Sequence, residues 1–212
     1  LAIADNTFAT PYLQRPLELG FDIVVHSATK FLNGHSDVLA GLAVVRTPEL
    51  AKRLKFIQNA FGAVLGVQDA WLLLRGMKTL GVRLEAEQRT AETVARALQT
   101  LPQVKTVHYP LLDNHPGRDI HRSQASGGGA IVSFELEDEA RTRAFLKKVH
   151  LPLLAVSLGG VESILTYPAT MSHAAIPREE RERLGITGSL VRLSVGLESA
   201  DDLLADIRQA LA

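Results

Sequence analysis

Cysteine is absent from the 212-residue chain, which excludes disulfides, thiolate nucleophiles and cysteine-ligated metals. Net charge is absent too: 23 Lys and Arg balance 23 Asp and Glu, and no basic block stands out. A nucleic-acid surface shows as a basic excess, so that partner class is disfavoured. No apolar run approaches the roughly 20 residues that span a bilayer, and no leader pattern opens the sequence. A membrane partner is therefore not expected, and cytoplasm is the default compartment. Internal repeats are lacking, as is low-complexity sequence beyond the triplet Gly127-Gly128-Gly129. With 46% hydrophobic and 22% charged residues, the composition is that of a globular chain able to bury a core, as one large domain or two small ones. Leu1 opens the chain in what reads as mid-strand.

Short apolar runs at Leu1–Ala4, Ile23–Val25 and Ala40–Val45 read as buried strands. Pro16–Gly20 reads as a helical turn closed by glycine. Leu50, Leu54 and Ile57 share a face of a helix over Glu49–Asn59. Phe61–Gly66 is a glycine-bearing loop. Asp69 is the expected N-cap of a long helical region reaching about Leu101, with Gly76 and Gly81 marking a break near Thr79. Trp71-Leu72-Leu73-Leu74 is apolar all round, which fits core or, as the lesser reading, a subunit contact. Ala91, Val94, Ala95 and Leu98 form a stripe on the helix that bridges two parts of the chain.

Beyond Pro102 the pattern turns to strands and helices in antiparallel style. Val104–Tyr109, Gly129–Leu136, Leu153–Val156 and Leu190–Val195 read as strands. A helix opens on acids at Glu137–Glu139 and closes on Lys147-Lys148, as the helix dipole prefers. Pro177 and Gly185 bound a short helix. Ser199 with Asp202 resembles a capping box for a last helix that buries Leu203, Ile207 and Leu211. The glycine triplet lacks the Gly-Lys-Ser/Thr of a phosphate loop and reads as a bulge or a close backbone approach. His35 and Asp37 do not make a metal site between them, and local hydrogen bonding explains them better.

Two clusters follow strand ends, where α/β sheets place ligands: Asp5-Asn6-Thr7, and His26-Ser27-Ala28-Thr29-Lys30. By itself a lysine after a strand is ordinarily solvated, and Ser/Thr clusters ordinarily make turns. A lysine flanked by two hydroxyls and opposed by a carboxylate from a neighbouring strand also suits pyridoxal phosphate. Lys30 would condense with the aldehyde, Ser27 and Thr29 would donate to the phosphate, and Asp5 would keep the pyridine nitrogen protonated.

Ala4-Asp5-Asn6-Thr7-Phe8-Ala9-Thr10-Pro11, then His26-Ser27-Ala28-Thr29-Lys30-Phe31, then Gly34-His35-Ser36-Asp37, closely resemble the cysteine/methionine-metabolism family of pyridoxal-phosphate enzymes. That trans-sulfuration family includes cystathionine β-lyase, cystathionine γ-synthase, cystathionine γ-lyase and methionine γ-lyase. The spacing from Asp5 to Lys30 matches as well. The resemblance covers the C-terminal half of such enzymes. It implies an α/β fold: the C-terminal part of an aspartate-aminotransferase-like large domain over residues 1–82, then a bridging helix and a smaller α+β domain over 83–212. It further implies a homotetramer built as a dimer of dimers, with a small amino acid as substrate. The segment closing over the cofactor phosphate, the ring stacked on the pyridine and residues lent to a partner subunit's site would lie outside this stretch.

Three further positions gain meaning from the resemblance. Ser157, in Ser-Leu-Gly-Gly-Val-Glu-Ser, is by itself part of a tight turn. In the family that serine lies near the substrate carboxylate and the lysine. Arg192 sits inside an apolar strand, where an unpaired guanidinium is costly; it faces either an internal carboxylate or, as the resemblance implies, the α-carboxylate of an amino acid. Ser172 follows Tyr167-Pro168, where many members have His-Pro or Leu-Pro, and stands where they have Thr. It is expected to line the site, with His173 structural.

Val156 occupies the position where γ-synthases and many γ-lyases carry a Glu that meets the distal ammonium of cystathionine. Ser163–Ala169 resembles bacterial cystathionine β-lyases. The reading is therefore a carbon–sulfur lyase, cystathionine β-lyase first, with γ-synthase, γ-lyase and methionine γ-lyase as alternatives. A different class stays open: a C-terminal fragment that folds or dimerises without turnover.

Overall fold

The computed structural model describes residues 1–212. The chain begins with β1 (Ile3–Asp5), α1 (Thr10–Leu13), β2 (Ile23–Ser27) and β3 (Gly41–Val45), followed by three helices, α2 (Pro48–Phe61), α3 (Val67–Met77) and α4 (Leu80–Leu98). β1 runs parallel to β2 with Asp5 opposite Val25, so the carboxylate and the turn that carries Lys30 emerge at the same end of the sheet. β3 pairs antiparallel on the other side of β2.

The remainder comprises β4 (Val104–His108), α5 (Arg118–Gln124), β5 (Ile131–Leu136), α6 (Glu139–Lys148), β6 (Leu153–Leu154), β7 (Ile164–Thr166), α7 (Arg178–Arg183), β8 (Leu190–Ser194) and α8 (Ala200–Leu211). These strands form one sheet in the order β4-β5-β8-β7-β6. It is antiparallel except for the β6–β7 pair. α1, α5 and β7 carry no pattern that the sequence reading recognised: α1 and β7 are too short for a period, and α5 has no buried residue. No helix is long and apolar enough to cross a membrane.

Local chemistry explains most boundaries. Thr47 caps α2 through its side chain, Pro48 takes the first helical position, and Gly62 ends the helix at φ +70°. Asp138 accepts from the Arg141 amide at 2.8 Å to start α6, whose last turn holds Lys147 and Lys148. Four expectations need correction. β1 and β3, read as buried strands, contain no buried residue. Gly66, not Asp69, stands at the N-cap of α3, and Asp69 falls in its first turn. Ser199 makes no side-chain cap bond, so the capping box at α8 does not form. Of the Trp71–Leu74 stretch only Leu73 is buried; Trp71 and Leu74 remain 57% and 63% exposed. An α-helix cannot turn four consecutive residues toward one neighbour, so the rest face outward, and the core reading fails there.

The core is one cluster of 29 buried residues. α4 lays Leu84, Ala91, Val94, Ala95 and Leu98 against β5 and β4 of the second sheet and against α8, which buries Leu203 and Ile207. Phe134 and Phe145 meet edge to face at 5.9 Å. The same cluster reaches Ala28, Phe31 and Leu32, so the segment around Lys30 is packed from below. The glycine triplet is the expected close approach: the Tyr109 hydroxyl donates to the Gly129 carbonyl at 3.0 Å, and a Cβ on Gly128 would sit 2.5 Å from that hydroxyl.

The break between α3 and α4 falls at Lys78–Thr79, as Gly76 foretold. Gly76 lies where the Asn33 backbone crosses the helix, and a Cβ there would collide with the Asn33 carbonyl oxygen and approach Oδ1 to 3.1 Å. An exposed helical Gly→Ala change stabilises by about 1 kcal/mol. Gly76→Ala should instead destabilise by about 1–3 kcal/mol through overpacking, read as a lower urea midpoint at unchanged m-value. A raised midpoint would show that the crossing is loose.

Candidate functional site

Lys30 stands three residues beyond β2, and its Nζ donates to Ser157 Oγ at 2.6 Å. Ser157 lies in the loop after β6, at φ +89°. A non-glycine residue there is strained and persists only where surrounding contacts hold it. Those contacts are visible. Arg192, in the middle of β8, donates through Nη2 to the Ser157 carbonyl at 2.9 Å and to Thr166 Oγ1 at 3.1 Å. Thr166 opposes Arg192 across the β7–β8 pair and donates its own proton to the Ala155 carbonyl at 2.9 Å. Gly159 donates to Ser194 Oγ at 2.8 Å. One residue thus links a lysine from the first sheet to an arginine from the second.

The electrostatics are unusual. Arg192 is an internal cation, yet none of the chain's ion pairs includes it. Both partners of Nη2 are neutral oxygens, and its buried Nε has no partner. The internal salt bridge is therefore absent. Burial depresses the Arg192 pKa, though a guanidinium stays charged at any working pH. Burial, then the Arg192 charge, lowers the Lys30 amine from its ordinary value, which favours the neutral, nucleophilic form.

Asp5 ends β1 and accepts from the Thr7 amide at 3.0 Å. Hydrogen bonding from the Thr7 side chain, then from its amide, holds the Asp5 carboxyl below the usual carboxylate range. The Thr7 hydroxyl also accepts from the Ser27 amide at 2.7 Å, joining the two strand ends. Ser27 has a half-buried side chain free of protein hydrogen bonds, whereas Thr29 Oγ1 accepts from the Ala40 amide at 3.0 Å. Val156 is 59% exposed beside Ser157. Ser172 is not drawn into this cluster: it is exposed, and its hydroxyl bonds the neighbouring His173 imidazole at 2.8 Å. His35 and Asp37 bond locally, Nδ1 of the first to the Asn33 carbonyl and Oδ1 of the second from Asn33 Nδ2, each at 2.7 Å.

Thr7, Thr166 and Ser194 escaped the sequence reading. Thr7 had a signal, since Asp followed two residues later by Thr is an Asx-turn pattern. Thr166 and Ser194 had none, because their importance comes from cross-strand neighbours.

The whole chain, residues 1–212, matches the family of Cys/Met metabolism PLP-dependent enzymes, PLP being pyridoxal phosphate. It is 63% identical to the cystathionine beta-lyase MetC of Bacillus subtilis (strain 168), over 100% of this chain and 54% of that protein. To the cystathionine gamma-lyase of the same organism it is 54% identical, over 100% and 56%. Among solved structures, cystathionine gamma synthase from Xanthomonas oryzae pv. oryzae in complex with cystathionine superposes with a TM-score of 0.97 at 47% identity, covering 100% of this chain and 55% of that one. The chain spans about half the length of the curated relatives it matches. On a match that runs from its first residue to its last, this chain belongs to the Cys/Met metabolism family of pyridoxal-phosphate-dependent enzymes.

Proposed function

We propose that this chain supplies the lysine-bearing portion of a pyridoxal-phosphate-dependent carbon–sulfur lyase that acts on sulfur amino acids, with β-elimination from L-cystathionine as its reaction. The observation that carries this reading is Arg192, an internal guanidinium without a carboxylate, beside a lysine whose amine is biased toward neutrality. Two such groups call for an anionic ligand with an acidic C–H nearby, and an α-amino acid is one.

The donor set fits the cofactor. Lys30 would hold its aldehyde carbon, Ser27 and Thr29 its phosphate, and the anionic Asp5 its ring nitrogen. When bound, pyridoxal phosphate supplies a sink for the electron pair left at the substrate α-carbon. Arg192 binds the α-carboxylate in a charge-assisted contact, the more strongly because no internal acid competes. The Lys30 amine, when not bonded to the cofactor, would be the group that takes the α-proton, held in place by Ser157 Oγ. The sulfur substituent would leave the β-carbon and take up a proton as homocysteine, and water would convert the remaining three-carbon unit to pyruvate and ammonia. Val156 offers a distal ammonium no counter-charge, which supports β- over γ-chemistry, as does the 63% identical β-lyase.

Three measurements on the full-length, cofactor-loaded protein test this. Borohydride reduction and peptide mapping should find the pyridoxyl group on Lys30; a label elsewhere rejects its role. Arg192→Ala should lower kcat/KM for L-cystathionine about ten- to a hundredfold, the loss expected of a charged contact, with the cofactor's visible absorbance intact. A loss of thermal stability with unchanged kinetics would make Arg192 structural.

Product analysis should give pyruvate, ammonia and homocysteine, and Val156→Glu should shift the products toward γ-elimination by a few-fold or more, since one charge contact alters discrimination by about 1–3 kcal/mol. Cysteine and 2-oxobutyrate from the unmodified enzyme would make it a γ-lyase. Cystathionine formed from an activated homoserine and cysteine would make it a synthase.

A further inference from the structure

Behind the Lys30 turn lies a second internal cation that the reaction does not use. Arg83, on the first turn of α4, is 3% exposed. Its Nη2 donates to the Phe31 carbonyl at 2.9 Å, the Gly76 carbonyl at 3.2 Å and the Leu32 carbonyl at 3.5 Å, and its Nε donates to Thr79 Oγ1 at 3.1 Å. Two of these three carbonyls belong to the two residues directly after Lys30; the third, of Gly76, lies near the end of α3, and Thr79 lies in the break that follows. Arg83 makes no ion pair. Glu87, one turn further along α4, is fully buried with both carboxylate oxygens unbonded, and burial above all raises its pKa to about 7. Neutral oxygens are thus the hydrogen-bond partners of Arg83, reached through Nη2 and Nε while the buried Nη1 has none; an ammonium cannot occupy both positions at once.

The Lys30–Gly34 segment is closely packed. Gly34, at φ +75°, a conformation that other residues rarely adopt, passes so near the Arg83 guanidinium that a Cβ there would displace it. A Cβ on Gly159 would lie 2.6 Å from the Phe31 nitrogen and 3.1 Å from the Lys30 carbonyl carbon. The Lys30–Gly34 backbone is therefore in close contact with both the guanidinium and the loop that carries Ser157. Carbonyl groups that face a buried cation cannot turn away without leaving it unsatisfied, which is costly.

We propose that Arg83 is a positioning residue: its guanidinium ties the carbonyls of Phe31 and Leu32 to the end of α3 and so sets where the Lys30 amine stands opposite Ser157 and Arg192. The inference rests on the role of Lys30 argued above. Arg83 touches neither substrate nor cofactor in this scheme. It acts through the backbone, and the shape of its side chain matters as well as its charge.

The test uses the full-length, cofactor-loaded protein with Arg83→Lys, which keeps the charge and loses the fork, and Thr79→Val, which keeps Arg83 and removes one of its acceptors. Lys30 displaced from Arg192 loses a neighbouring positive charge, so the midpoint of the pH titration of the cofactor's visible absorbance should rise by about half a unit or more in Arg83→Lys. For the same variant kcat should fall about tenfold, as a small misplacement costs, with KM within about twofold. Thr79→Val should move both readouts the same way by less.

A merely structural arginine would lower thermal stability and leave the titration of the folded protein unmoved. A folded Arg83→Lys protein with wild-type titration and kcat overturns the proposal. If Arg83→Lys does not fold, wild-type values in Thr79→Val overturn it and a shift supports it. Borohydride labelling in the same samples separates the two levels. A label on Lys30 with unmoved readouts rejects only the role of Arg83, whereas a label elsewhere rejects the assignment of Lys30 and this inference with it.

Discussion

An amine and a guanidinium are held close together in this molecule with no carboxylate between them. Lys30 and Arg192 meet through one residue, Ser157, whose hydroxyl accepts from the first and whose carbonyl accepts from the second. Like charges in a partly buried site repel and lose hydration, so the arrangement is unfavourable in isolation. It persists because the strand pair β7–β8, the positive-φ turn at Ser157 and the Lys30 segment are each fixed by other contacts. The site draws strength from that rigidity: a group already desolvated and aimed needs no reorganisation when an anion arrives.

The chemistry of the first sheet complements this. Asp5 is kept anionic by Thr7, and Thr7 in turn ties the end of β1 to that of β2. Negative charge is placed at one strand end and a neutral-leaning amine at the next, which are the two demands a pyridine ring with a reactive aldehyde makes. The second sheet contributes Arg192, whose guanidinium has no internal acid. Neither sheet alone assembles the set, and the 29-residue core that runs from Phe31 to α8 holds them in register.

Apolar surface marks where the chain's own core stops. Trp71, Leu74, Phe56 and Phe61 are exposed on α2 and α3, and Arg75 lies over the Trp71 ring at 6.0 Å. α2 buries none of its residues fully. Periodicity identified α2, but it reports only that a face is apolar and not what lies against it.

Strand ends, helix stops and charge placement were legible in the sequence because they follow from neighbours a few residues away. The helix read over Glu49–Asn59, which runs from Pro48 to Phe61, the acid-to-base run of α6, the stripe Ala91–Leu98 and the break at Thr79 all obey local rules. The approach of Ser157 to Lys30 was expected from motif resemblance, which carries information about tertiary structure that the residues themselves do not express. The sequence by itself determined which elements form and which residue types stand at their ends.

Only the tertiary structure decided that Arg192 has no internal acid, that Ser172 turns to His173 rather than toward Lys30, that Ser199 leaves α8 uncapped and that Arg83 faces the carbonyls after Lys30. Each of these depends on residues brought together from distant parts of the chain or on a competition between alternative partners. The energies of such competitions are set by burial and geometry, which local pattern does not encode.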